Sequence, residues 1–387
     1  SHRPSSKAFR EFMASNWGER PAPALQETGA ADFLPARHSG IGSQFEGQRL
    51  VIPAGGLKIR SNDTDYRFRA HSAFAHMTGL GGEMEPDAVL LLDPKPEGGH
   101  EAVLYFTPRS SRSSEEFYAD SRYGEFWVGA RRTLEEMEAA TGLKCAPIDS
   151  LGDALAKDAG MVQLRIVPNV DASVSAMVQE VREQAGLPTG DEALRDDELL
   201  AERLSELRLA KDSFEIDQLQ QAVDATKRGF EEIIRELPRA SHHPRGERVF
   251  EGAFAQVAFE EGNGLGYETI AAAANHANTL HWMDNSGPVP PGSLILVDAG
   301  IEVDSLYTAD ITRTLPVDGT FTPAQAKVYE AVLEAADAAF EAAKTPGAIF
   351  RDLHGAAQKV LARHLDQWGL VPVSAEESLR PGGQQHR

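Results

Sequence analysis

Four short apolar runs punctuate the first half of the chain, each of strand length and closed by Gly, Pro or Asp: QRLVIPAG near Val51, PDAVLLLDP near Val89, EAVLYFTP near Tyr105 and MVQLRIVP near Ile166. Between them, GARRTLEEMEAATG and SVSAMVQEVREQAG show apolar residues at helical spacing. Strands alternating with helices predict an α/β domain over residues 36–190. Residues 1–35, rich in Pro, Ala, Gly and polar groups, read as an N-terminal arm with one short helix. The opening Ser1-His2, with no Met, reads as the scar of a cleaved expression tag. The polar stretch LPTGDEALRDDE places a linker at 191–211.

From residue 212 the pattern changes. Asp212 and Glu215 fit a capping box, and Leu219, Ala222, Val223, Phe230, Ile233, Ile234 and Leu237 recur at helical spacing until Pro238, where the helix is expected to stop. Thr322, Pro323 and Gln325 open a second helix, with Val328, Tyr329, Val332, Leu333, Ala336 and Phe340 on one face and Pro346-Gly347 at its end. A third helix runs from Phe350 to Gly369. Strand-like runs lie between the first two helices, so residues 212–387 predict an α+β domain with helices on an antiparallel sheet.

Composition narrows the functional classes. Asp+Glu number 59 against 38 Lys+Arg, a formal net charge of -21. A face that acidic argues against nucleic-acid binding, which needs cations to neutralise phosphates. No window approaches a membrane span, and residues 1–23 contain no apolar signal core. The single Cys145 excludes an intrachain disulfide and a thiolate metal cluster, and fits a cytoplasmic protein.

The chemistry concentrates in PPGSLILVDAGIEVDSLYTADITRTLPV. SLILVD reads as a strand ending in Asp298. GIEVDS reads as a turn, and LYTADITRTL as the returning strand with Asp310 in its middle. The aspartates are twelve residues apart with Asp304 at the midpoint, so a hairpin would face them at about 4.5–5.5 Å between Cβ atoms. Two carboxylates that close need a shared proton or a cation, and a metal pair ~3.5–4 Å apart would suit them. Alternation would put Thr308, Asp310, Thr312 and Thr314 on one face, where the hydroxyls could orient the carboxylates. The competing reading is that Asp298 ends a strand and Asp310 makes a local turn bond. Aspartate is disfavoured in mid-strand, which weighs against it. Upstream, IAAAANHANTLHW supplies His276 and His281. His242 and His243 read as exposed, and His354 and His364 as packing or surface residues.

These segments resemble a known family. LRLAKDSFEIDQLQQAVDAT, ERVFEGAFAQVAFEEGNGLGYETIAAAANHANTLHW and VDAG…YTADITRTLPV are similar to the "pita-bread" catalytic domain shared by aminopeptidase P, prolidase, creatinase and methionine aminopeptidase. KIRSNDTDYRFRAHSAFAHMTGL followed by EPDAVLLL resembles the N-terminal domain of bacterial aminopeptidase P. The resemblance implies two divalent metal ions, commonly manganese, held by two Asp, one His and two Glu. Asp298 would chelate one metal, Asp310 would bridge both, and His281 would contact the substrate near the scissile bond. The other His and the two Glu match nothing in this chain, so the resemblance implies a catalytic domain truncated at its C-terminal end and inactive alone. It further implies an exopeptidase acting on peptides with an N-terminal Xaa-Pro by attack of a metal-bridging hydroxide, and a homodimer or homotetramer. The alternatives are a prolidase-type dipeptidase and a non-catalytic binding protein of the same fold.

Overall fold

The structure, a computed structural model, describes residues 6–20, 28–82 and 84–386. Ser1-His2 and residues 21–27 of the arm lie outside the described residues. The chain forms two compact units. The first comprises residues 1–235, 252–269 and 298–311, and the second comprises 236–251, 270–297 and 312–387.

In the first unit the four apolar runs become strands β1 (Gln48–Pro53), β4 (Val89–Pro94), β5 (His100–Phe106) and β7 (Gln163–Ile166), while β2 (Ile59–Ser61) and β3 (Thr64–Asp65) make a separate small ribbon. With β6 (Lys144–Pro147), a four-residue strand too short and polar to stand out in the sequence, they build a mixed sheet of order β6-β5-β4-β1-β7. β1 and β4, and β4 and β5, pair antiparallel; β1 with β7 and β5 with β6 pair parallel.

Alternate residues separate onto two faces. Leu50, Ile52, Leu90, Leu92, Leu104 and Phe106 join one core with Leu34, Phe74, Met77 and Leu200. Val51, Val89, Leu91, Tyr105, Leu164 and Ile166 join another with Leu151, Leu155, Val174 and Val178. A sheet covered on both sides explains why VLLL is apolar without alternation.

The 191–211 stretch, expected as a linker, is instead mostly a helix, Gly190–Leu207. Its Leu200 and Leu204 are fully buried, and its Asp197 accepts hydrogen bonds from Arg182 (2.7 and 2.9 Å) and from the Ile166 N–H (2.9 Å). Dense surface charge hides the apolar stripe at Ala193, Leu200 and Leu204, which is the spacing that makes a helix.

In the second half the first helix, Ser213–Ser241, starts at the expected capping box. It does not stop at Pro238. The proline lies in the last turn, where it removes one hydrogen bond near an end that leaves carbonyls unpaired anyway. A further helix, Gly246–Glu261, precedes the strands. β8 (Gly264–Leu265) pairs antiparallel with β11 (Ile301–Glu302), and β9 (Ile270–Ala273), β10 (Leu294–Ala299) and β12 (Ile311–Pro316) form a sheet of order β12-β10-β9.

Helix Pro323–Ala343 opens on the Thr322–Gln325 capping box, and Phe350–Gln367 follows it. Ala331 and Ala335 are buried, but the expected apolar face is not covered: Val328, Val332, Leu333 and Phe340 are each half or more exposed. No described helix is long and apolar enough to cross a membrane.

Candidate metal centre

Strand β10 delivers Asp298. Its Ile295, Val297 and Ala299 are fully buried, so the alternation turns Asp298 to the less covered face. The chain then passes Gly300, where an added Cβ would sit 1.7 Å from the Ala309 carbonyl oxygen and 3.1 Å from the Tyr267 ring. Glycine at this point lets the outgoing and returning segments touch backbone to backbone. The Gly266 N–H reaches the Gly300 carbonyl at 2.8 Å, and the Ile301 N–H is accepted by Thr226 Oγ1 at 2.9 Å.

The connection between the aspartates is more built than a simple hairpin turn. Part of it, β11, pairs with β8, and Glu302 accepts from Arg69 and Asn263, both at 2.9 Å. The Gly82 N–H donates to Asp304 O (2.9 Å), Ser305 Oγ to Gln218 (2.6 Å) and Tyr307 Oη to Glu215 (2.8 Å). Leu306 is held at φ +69°, a left-handed conformation uncommon for a bulky side chain. Asp310 is not in mid-strand as expected. It is exposed and immediately precedes β12, whose regular pairing begins at Ile311. The expected face of four threonine and aspartate positions is therefore strand only at Thr312 and Thr314.

The two carboxylates nevertheless converge. Tyr267 Oη stands 2.6 Å from Asp298 Oδ1 and 2.9 Å from Asp310 Oδ1. A phenol has one proton to donate, so a single hydrogen is shared between two acidic groups. Burial, then the hydrogen bonds to both aspartates and their charges, push the Tyr267 hydroxyl well above its ordinary range. Tyr267 was invisible to sequence reasoning because it lies 31 residues from one partner and 43 from the other. Among the described residues, no set of three or more His, Cys, Asp or Glu side chains is placed to hold a metal ion.

His281 belongs to the second unit, exposed in the loop after the short 3-10 helix Ala274–Asn278. Its neighbours are better ordered than the pattern suggests. His276 stacks on Trp282, with ring centroids 3.9 Å apart, and its Nδ1 lies 2.7 Å from Glu247 Oε1. His242 and His243 are exposed as expected, and His364 pairs with Glu334 at 2.6 Å. Burial pushes the free Cys145 thiol up to about 12, so it is not a reactive thiolate.

Residues 36–165 match the aminopeptidase P N-terminal domain, and residues 217–380 match metallopeptidase family M24. Xaa-Pro aminopeptidase 2 of Streptomyces coelicolor is 44% identical over 97% of this chain and 76% of its own length. The chain belongs to the Xaa-Pro aminopeptidase family. A member from Haemophilus influenzae is 31% identical over 73% of this chain and 60% of its own. The fold agrees with this membership. Aminopeptidase PepP of Pseudomonas aeruginosa superposes with a TM-score of 0.74 at 25% identity, covering 90% of this chain and 76% of that one. Zinc-substituted Escherichia coli aminopeptidase P in complex with product gives 0.74 at 23% identity, covering 92% and 77%. As in other Xaa-Pro aminopeptidases, an α/β N-terminal domain thus precedes an M24 domain of pita-bread fold, and the M24 match takes in Tyr267, His281, Asp298 and Asp310.

Proposed function

We propose that this chain serves the metal-dependent release of an N-terminal residue from peptides with proline in second position. The supporting observation is the meeting of Asp298 and Asp310 at one phenol. In this reading the aspartates would serve as metal ligands, and Tyr267, which reaches an oxygen of each, would align them. His281 contacts the peptide beside the scissile bond. Hard carboxylate oxygens of this kind suit divalent cations such as magnesium, calcium and manganese, and manganese is the ion proposed. When bound, such cations supply a water acidic enough to attack a carbonyl near neutral pH.

The residues here fit only part of that demand. Among the described residues the two carboxylates are not part of a metal-holding set of three or more His, Cys, Asp or Glu, short of what a dinuclear site needs, so the polypeptide by itself is proposed to be inactive. It is further read as a cytoplasmic homodimer or homotetramer, with domains at 36–190 and 212–387. The test is a fusion of this chain to the unmatched remainder of the Streptomyces coelicolor relative. With manganese, the fusion should hydrolyse Ala-Pro-Ala and leave Ala-Pro largely intact, and Asp310→Asn should abolish the rate. Preference for the dipeptide would instead indicate a prolidase-type enzyme, and an inactive fusion would favour a binding protein. Turnover by the unfused chain with nearly two metals bound would refute the inactivity.

A further inference from the structure

Glu247 is fully buried, yet it carries a carboxylate that none of the chemistry above employs. It sits in the first turn of helix Gly246–Glu261, where the helix dipole favours negative charge. Both oxygens are used twice. Oε1 accepts from the Ala273 N–H at 2.8 Å and faces His276 Nδ1 at 2.7 Å; Oε2 accepts from Trp282 Nε1 at 3.0 Å and the Gly287 N–H at 2.7 Å. All four donors come from one loop, residues 273–287, and His281 lies inside it.

Burial would raise the carboxyl pKa, but the donors at Ala273, His276, Gly287 and Trp282 outweigh it and hold Glu247 below the usual range. The loop needs this anchor. Ala274 and Asn285, near its two ends, are held at φ +49° and +44°, conformations that persist where surrounding structure over-determines them. Gly287 has no room for a side chain: a Cβ there would lie 2.6 Å from His276 Cε1 and 3.1 Å from Glu247 Oε2. Anchors at His276 and Trp282 bracket His281, with Trp282 directly next to it.

We infer that Glu247 is a positioning residue, a buried four-acceptor hub that fixes the His276–Trp282 stack and thereby the placement of His281. The inference deepens the proposed function and rests on its reading of His281, but the hub can be measured without it. Glu247→Gln keeps the shape and removes two acceptors, because whichever way the amide faces, its NH2 meets two donors.

Site-resolved amide exchange on the intact chain should show Ala273 and Gly287 protected. In Glu247→Gln their exchange should rise at least tenfold, while helix Pro323–Ala343 is unaffected, and the His281 ring NMR signal should broaden or split. Unchanged protection, or a single unshifted His281 signal, overturns the inference. If Glu247→Gln fails to fold, Trp282→Phe removes one donor alone. A few-fold rise in exchange confined to the loop is then expected, and wild-type exchange would overturn it. His281→Ala should leave protection at Ala273 and Gly287 intact, so the hub is read independently of any role of His281.

Discussion

Tyr267 Oη lies 2.6 Å from Asp298 Oδ1, the shorter of its two carboxylate contacts. The phenol occupies a position between the aspartates that makes it a partial substitute for a cation, since its proton relieves some of their repulsion. Tyr267→Phe should therefore destabilise the metal-free chain by about 1.5–3 kcal/mol, the usual worth of a hydrogen bond to a charged group. In the fused protein, manganese should recover more stability in the variant than in the wild type. Thermal melts with and without the metal test this, and equal shifts would remove the linkage.

Asp310→Asn should act in the opposite sense on the two states. Without metal, removing one of two facing charges should leave the melting temperature unchanged or raise it. In the fused protein, manganese binding measured by calorimetry should drop below detection. A variant that binds as the wild type does would exclude Asp310 as a ligand.

Asp197 is an acid of a different kind, buried in an ion pair. The Arg182 side chain it neutralises is 6% exposed and the Asp197 side chain 7%. Asp197→Ala would strand a buried guanidinium and the Ile166 N–H, a loss of roughly 3–5 kcal/mol. Urea unfolding should show a midpoint shift of that size with little change in slope.

His76 sets an acid limit. Burial first, then Arg37 and Arg208, lower its pKa from 6.5 to about 3, against the pull of Asp212. Its 3.5 Å approach to Glu215 is therefore a contact of a neutral ring and no ion pair near neutrality. The unfolded chain takes up this proton first, so the stabilising contribution is complete above about pH 6.5 and is lost as pH falls toward about 3. His76→Gln should flatten the stability profile in that window, measured by urea midpoints at successive pH values.

The uncovered face of helix Pro323–Ala343 predicts concentration-dependent association, since contiguous exposed apolar surface favours self-contact. Val332→Glu together with Phe340→Ser should reduce the apparent mass in size-exclusion chromatography without lowering the melting temperature. A monomeric wild type at high concentration would contradict this.

Much of the architecture was legible because it rests on local regularities. The runs near Val51, Val89, Tyr105 and Ile166 are strands, and the capping boxes at Asp212 and Thr322 open helices where expected. Elsewhere local signals mislead for separate reasons. In helix Gly190–Leu207 dense charge masks an apolar stripe that only packing reveals, and Pro238 is tolerated because it falls in the last turn. Asp310 lies just outside β12, where its low strand propensity would place it, while apolar neighbours on both sides suggest a longer strand.

By itself, then, the sequence determined four strands of the first sheet, the helices that open on capping boxes and the presence of an acidic pair, since periodicity and short-range spacing encode these directly. Tertiary structure alone decided that Tyr267 stands between the aspartates, that Gly300 admits the returning backbone, and that Glu247 gathers four donors from one loop. These relationships join groups up to 43 residues apart. Their energy comes from burial and shared hydrogen bonds that exist only once the chain has closed upon itself.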